Sequence, residues 1–105
     1  MNIYSLVILA AGLVVAGNAL AENGEALART YNCMMCHAVA TKSTGPSVKD
    51  VAAKYKADKG AQAMLEIKVR KGGAGAWGKI PMPATARSVS DEEIKAIVQW
   101  MLSLK

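Results

Sequence analysis

Two cysteines three positions apart, followed at once by the only histidine of the chain, constrain the fold more than any other feature. They form the segment Cys33-Met34-Met35-Cys36-His37. On one helical turn, Cys33 and Cys36 can each form a thioether with a vinyl group of the same haem, and His37 is then placed to bind the iron as an axial ligand. The motif therefore predicts one covalently attached haem c as the cofactor.

Three other uses of closely spaced cysteines fit this chain less well. A redox-active dithiol of the thioredoxin type needs a βαβ setting, and no alternating strand pattern surrounds residue 33. A structural zinc site needs four ligands, whereas the chain has two cysteines and one histidine. A disulfide between Cys33 and Cys36 would close almost no loop, would add little stability and would leave His37 unexplained.

The N-terminal residues predict an export signal. Residues 1–21 contain no charged side chain, include an apolar run over 6–16 and end in a small-x-small cleavage pattern at 19–21. A membrane anchor is the alternative, but two glycines and an asparagine interrupt the stretch and leave its apolar part short for a span. We therefore expect a signal peptide over 1–21, a mature domain over 22–105 in the periplasm, and no membrane insertion after cleavage.

The predicted mature segment is small and basic. All 13 Lys and Arg and all 8 Asp and Glu lie after residue 21, which gives a formal net charge of +5. The lysines are spread along the chain without interleaved aromatics, which argues against a nucleic-acid partner. The chain has no Phe, two Trp and three Tyr, so few large side chains are available for a core. We expect the haem to complete that core and the haem-free chain to be largely unfolded.

Helical periodicity predicts four short helices. The first covers residues 24–32 and the second covers 48–55. The third covers 60–71, directs Ala61, Met64, Leu65 and either Ile67 or Val69 toward the core, and stops at a pair of glycines. The last follows Ser90, whose side chain is expected to cap the helix while Glu93 completes a capping box. The sequence therefore predicts one all-α domain of about four short helices wrapped around one covalently bound haem.

The position opposite His37 on the iron decides between a carrier and a catalyst. No second histidine exists, so a methionine, a lysine, water or no ligand remains. Most methionines lie in the predicted signal, between the cysteines or on apolar helix stripes, where packing explains them. Met82 alone lies between prolines, in a Gly- and Pro-rich loop over 72–87, where the backbone is extended and cannot rejoin a helix. We predict Met82 as the second axial ligand.

Several segments resemble the small bacterial class I cytochromes c of the 551/552 type. The matching segments, in order, are 33–37, 45–47, 49–52, 77–83 and 89–91. The resemblance implies the class I cytochrome c fold, a backbone carbonyl of Pro46 that accepts a hydrogen bond from His37, and a Trp77 indole that bonds a haem propionate. Many relatives carry an amide shortly after the Met-Pro pair. Here Thr85 takes its place as a candidate donor to the Met82 sulfur.

The same resemblance implies a one-electron carrier rather than an enzyme. With His37 and Met82 both bound, the iron keeps no open position for a substrate. Implied partners are acidic redox proteins such as a nitrite reductase, a terminal oxidase, a peroxidase or a quinol-oxidising complex, and we expect a monomer. Two alternatives stay open at this point. One is an enzyme or gas sensor with a five-coordinate haem, and the other is a haem subunit held in a larger periplasmic enzyme.

Overall fold

The structure, a computed structural model, describes the backbone of residues 16–105 and the side chains of residues 23–105. The elements in chain order are α1 (Ala16–Thr30), a 3₁₀ turn (Cys33–Met35), α2 (Val48–Lys54), α3 (Ala61–Lys71) and α4 (Asp91–Ser103). No strand occurs within this part of the chain, so the prediction of an all-α domain of four helices is confirmed. None of the described helices is both long and apolar enough to cross a membrane.

Helix α1 differs most from the prediction. It begins at Ala16, inside the predicted export signal, and ends at Thr30 rather than at residue 32. The helix ends there because Asn32 adopts a left-handed conformation with φ 63°, which asparagine tolerates better than most residues. Residues 1–15 of the predicted signal lie outside the described part of the chain, and cleavage after Ala21 stays a prediction.

Helix α4 is the centre of the packing, since α1, α2 and α3 all contact it. Its first turn is fixed by the predicted capping box, which is confirmed. The Glu93 backbone N–H donates to Ser90 Oγ at 3.1 Å, and the Ser90 backbone N–H donates to Glu93 Oε1 at 2.9 Å. The buried residues of α4 are Ile94, Ala96, Ile97, Val98 and Trp100.

Two apolar clusters share α4. One joins α2, α3 and α4 and includes Leu65 and Val98, and the other joins α1, α2 and α4 and includes Ala28 and Trp100. Gly24 allows α1 to approach α4 closely, because a Cβ there would lie 2.7 Å from Trp100 Cβ and would collide with a backbone carbonyl of α4. The core therefore lies along α4, and Cys33 and Met34 of the 3₁₀ turn pack against one of its two clusters.

Helix α3 buries a narrower stripe than its sequence predicts. Ala61, Leu65 and Val69, spaced four residues apart, are buried as expected. Ile67 is 57% exposed, so Val69 and not Ile67 completes the stripe. The expectation that Met64 packs in the core is wrong: its side chain is 40% exposed and lies at the edge of the cleft described below.

Candidate haem-binding site

A cleft of about 510 Å³ opens between the helices and the loop that follows α3. Its volume falls in the range of roughly 300–1,000 Å³ that is typical of pockets for small molecules and cofactors. The six residues predicted to bind the haem or to orient His37 all line this cleft: Cys33, Cys36, His37, Pro46, Trp77 and Met82. A more open depression of about 390 Å³ beside Ile67 and Arg70 is lined by neither cysteine nor histidine.

The 3₁₀ turn brings both thiols to the same cleft. In this type of helix, side chains three residues apart eclipse each other, which is the spacing of Cys33 and Cys36. The backbone N–H groups of Cys36 and His37 both donate to the Cys33 carbonyl, at 3.3 and 3.1 Å. Neither cysteine forms a disulfide, and burial raises the pKa of the Cys33 thiol. The turn therefore offers two thiols to one ligand.

The imidazole of His37 is held in one orientation. Its Nδ1 lies 2.8 Å from the carbonyl oxygen of Pro46. A carbonyl oxygen only accepts hydrogen bonds, so Nδ1 carries the proton and Nε2 keeps a free lone pair for a metal. A Cβ at Gly45 would lie 2.7 Å from His37 Cε1, so glycine is needed to leave room for the ring. Both contacts come from the segment just before α2.

Backbone hydrogen bonds fasten that segment to the cysteine turn. The Gly45 N–H donates to the Cys36 carbonyl at 2.7 Å, and the Val48 N–H donates to the Ala38 carbonyl at 2.9 Å. Ser47 is fully buried between these two bonds and caps α2 with its hydroxyl. These two hydrogen bonds, on either side of Pro46, therefore hold its carbonyl next to His37.

Residues 72–82 form a loop that we call the ligand loop, after the predicted role of Met82. Backbone hydrogen bonds within this loop position Met82. The Met82 N–H donates to the Gly73 carbonyl at 2.8 Å, and the Gly73 N–H donates back to the Met82 carbonyl at 2.9 Å. Gly72 ends α3 with φ 72°, and a Cβ there would lie 2.8 Å from Ala84 N and would collide with the Met82 carbonyl. These contacts close the neck of the loop and leave the Met82 side chain half-buried at the cleft.

The expectation that Thr85 donates to the Met82 sulfur is wrong. The Thr85 hydroxyl donates to the Val69 carbonyl at 2.7 Å, and a hydroxyl has only one proton to give. The Thr85 backbone N–H also donates to the Arg70 carbonyl, at 3.2 Å. Thr85 therefore ties the segment after Met82 to the end of α3.

Trp77 lies at the rim of the cleft with 41% of its surface exposed. The Lys54 ammonium lies 4.6 Å from the centroid of its ring, within cation–π distance. Sequence reasoning missed both Lys54 and Gly45 as parts of the site. The Gly-Pro pair was a usable signal for Gly45, whereas Lys54 contacts residues more than twenty positions further along the chain, which no local pattern indicates.

The sequence of this chain is similar to those of known proteins. Residues 21–105 match the sequence model of the family described as cytochrome c. The chain is 44% identical to cytochrome c-551 of Pseudomonas aeruginosa, over 100% of both chains. It is 46% identical to cytochrome c-552 of Nitrosomonas europaea, over 91% of this chain and 90% of the relative.

Solved structures show the same fold. The crystal structure of wild-type cytochrome c552 from Nitrosomonas europaea matches with a TM-score of 0.73 and 46% identity, over 77% of this chain and 99% of that one. The class 1 cytochrome MtoD from Sideroxydans lithotrophicus ES-1 matches with a TM-score of 0.67 and 34% identity, over 78% of this chain and 92% of that one.

The chain belongs to the cytochrome c family. Within that family it is a small class I cytochrome c, similar to the c-551 and c-552 proteins, and it is a haem-containing electron carrier with one covalently bound haem c. The residues of the cleft fit that group, since two free thiols, an imidazole with an available Nε2 and a largely apolar cavity lie together. Proteins of this kind act by interacting with redox partners.

Proposed function

We propose that the protein carries one electron at a time in the periplasm, with His37 and Met82 as the two axial ligands of its haem iron. The observation that carries the proposal is that both side chains line one cleft, each held by its own set of backbone contacts. When bound through Cys33 and Cys36, the haem supplies an iron that gains and loses a single electron. Two protein ligands leave no coordination position for a substrate, which favours electron transfer over catalysis.

Two further residues orient the group in this proposal. The Pro46 carbonyl keeps the proton on His37 Nδ1, which fixes the tautomer and increases the basicity of Nε2. Trp77, at the rim, has an indole N–H suited to donate to a haem propionate. Fixed ligands change little between oxidation states, and this is what a rapid electron carrier requires.

The charge around the cleft favours an acidic redox partner. Lys42, Lys68 and Lys79 line the cleft together with a single acidic side chain, Asp50. The neighbouring Ile80 is 67% exposed and offers an apolar contact. Positive charge of this kind accelerates association with an acidic surface and makes its rate sensitive to salt. Such partners include a nitrite reductase, a terminal oxidase, a peroxidase or a quinol-oxidising complex, in transient encounters of a monomer.

The axial ligand is tested with a pair of methionine variants of the haem-loaded protein. Met82→Ala should lose the charge-transfer band from methionine to ferric iron and should bind carbon monoxide in the reduced state, because a coordination position opens. Met64→Ala removes another methionine that lines the same cleft and serves as the control. It should keep the wild-type spectrum. A Met82→Ala protein with the spectrum and potential of the wild type would show that another group binds the iron.

A further inference from the structure

The tip of the ligand loop has no hydrophobic support of its own. Every residue from 74 to 81 is exposed, although the segment includes Trp77 and Ile80. Inside the loop, the Gly75 N–H donates to the Gly78 carbonyl at 2.9 Å, which turns the chain around Ala76 and Trp77. Packing among the protein's own apolar side chains therefore does not fix where this tip lies, and its inner side faces the cleft proposed for the haem.

Within the part of the chain whose side chains the structure describes, two polar contacts from outside the loop reach the tip, and both come from Lys54 at the end of α2. The ammonium lies 4.6 Å from the centroid of the Trp77 ring and 3.5 Å from the Ala76 carbonyl oxygen. Among residues 23–105, no other side chain makes a hydrogen bond or cation–π contact with segment 74–81. The same ammonium lies 5.7 Å from the centroid of the Tyr55 ring, so it is within cation–π distance of two aromatic rings.

From this geometry we infer that Lys54 is a positioning residue that holds the tip of the ligand loop, through Trp77 and Ala76, against the end of α2. The neck of the loop is closed separately by the bridge between Gly73 and Met82. Loss of Lys54 should therefore leave the resting site intact and increase the frequency with which the loop opens. The effect on iron chemistry rests on the proposed ligation by Met82, whereas the effect on the loop does not.

The first test measures opening of the tip without reference to the iron. Amide hydrogen exchange of Gly75, followed by NMR on the haem-loaded full chain, reports on the bond that Gly75 donates across the tip. Lys54→Gln should speed this exchange roughly two- to fivefold, the factor that a cation–π contact at an exposed site supplies. Exchange of the Val98 amide in α4 measures global stability and should change less than that of Gly75.

Two control variants separate the contact from the charge. Lys56→Gln removes an equal charge from an exposed side chain two residues away. In this variant the Gly75 amide should exchange at the wild-type rate. Lys54→Arg keeps a cation over the Trp77 ring and should restore most of the protection. If Lys54→Gln and Lys56→Gln give the same Gly75 exchange rate, the inference is overturned.

The second test measures entry of imidazole to the ferric iron. At saturating imidazole the rate is limited by opening of the loop, and Lys54→Gln should raise it about two- to fivefold over both the wild type and Lys56→Gln. Equal rates in the three proteins would contradict the inference. If the ferric wild type lacks the charge-transfer band from methionine to iron, the proposed Met82 ligand fails, and a selective change in Gly75 exchange would still support the role of Lys54.

Discussion

The helical frame, α1 to α4, and the ligand loop reach their positions by different physical means. The frame is held by apolar packing along α4, whose buried residues contact the other helices. The loop exposes all of residues 74–81 and depends on two backbone hydrogen bonds at its neck and on Lys54 at its tip. Packing therefore supplies stability, while polar contacts and glycine conformations position Met82, the proposed iron ligand. Variants of the helical frame should therefore change mainly the stability of the fold, and variants of the ligand loop should also change the surroundings of Met82.

The largest effect is expected from removal of both cysteines, which should break the frame as well as the site. Cys33→Ala combined with Cys36→Ala removes covalent attachment, and a domain this small depends on its cofactor to complete the core. We expect loss of most far-ultraviolet helical signal. Met35→Ala, in the same turn but 75% exposed, should keep haem and helicity. Near-native helicity in the double variant would show that packing alone folds the chain.

Gly24→Ala should damage the frame and spare the loop. The new Cβ would lie 2.7 Å from Trp100 Cβ and collide with the Ala96 carbonyl, so α1 must move away from α4. We expect a loss of about 2–3 kcal/mol of unfolding free energy in denaturant titrations, with an unchanged haem spectrum. Gly60→Ala is the control, because the nearest atom to its Cβ is 3.5 Å away. If Gly24→Ala loses no more unfolding free energy than Gly60→Ala, α1 and α4 do not approach closely at Gly24.

Gly72→Ala should damage the ligand loop in addition to lowering stability. Its φ of 72° disfavours a side chain, and the Cβ would collide with the Met82 carbonyl, so the neck must distort. We expect a loss of about 1–2 kcal/mol together with a weakened methionine-to-iron charge-transfer band. Gly75→Ala has a similarly unfavourable φ of 118° but no atom within 4 Å, and it should leave the band unchanged. Equal bands in the two variants would mean that the neck does not position Met82.

The smallest effect concerns the contact between Tyr31, which follows the end of α1, and Glu93 in the first turn of α4. Glu93 accepts hydrogen bonds from the Ser90 backbone N–H and from the Tyr31 hydroxyl at 2.8 Å, and these bonds lower the Glu93 pKa. A lowered pKa stabilises the fold above the ordinary value of about 4.3, and this contribution is lost as pH falls through the folded-state pKa. The unfolding free energy of Glu93→Gln should therefore fall less steeply than that of the wild type as the pH is lowered.

The control for this titration is Glu92→Gln, which removes a charge from the same first turn of α4. Denaturant midpoints between neutral pH and pH 3 would be compared for the three proteins. We expect the difference between wild type and Glu93→Gln to shrink toward low pH, whereas Glu92→Gln should follow the wild-type profile more closely. A constant difference at every pH would exclude Glu93 as the titrating group.

Local signals in the sequence predicted much of the frame. The capping box of α4 depends on residues three apart, and the position of α3 between two glycines depends on backbone conformation alone, so both could be found without tertiary information. The outward position of Ile67 could not, because it depends on which side of α3 faces α4. In the candidate site as well, features that depend on neighbouring residues could be predicted, and features that depend on tertiary contacts could not.

Residue types identified the candidate ligands, but contacts distant in sequence determine how they are held. The cysteine-histidine motif and the proline-flanked Met82 are short patterns with a chemical reason, and all of them line the cleft. The Thr85 hydroxyl bonds Val69, sixteen residues earlier, so its direction depended on how the loop returns to α3. No local sequence pattern indicates the role of Lys54, because its contacts with Ala76 and Trp77 are also distant in sequence.

The most direct test of the central claim is the absorption spectrum of the mature wild-type protein, purified from a host that attaches haem and measured oxidised and reduced, with and without carbon monoxide. If His37 and Met82 both bind the iron, no coordination position is free. The oxidised protein then shows the methionine-to-ferric charge-transfer band, and carbon monoxide leaves the reduced spectrum unchanged. If carbon monoxide binds readily and the band is absent, the iron has an open position. The carrier proposal would then give way to a ligand-binding or catalytic haem.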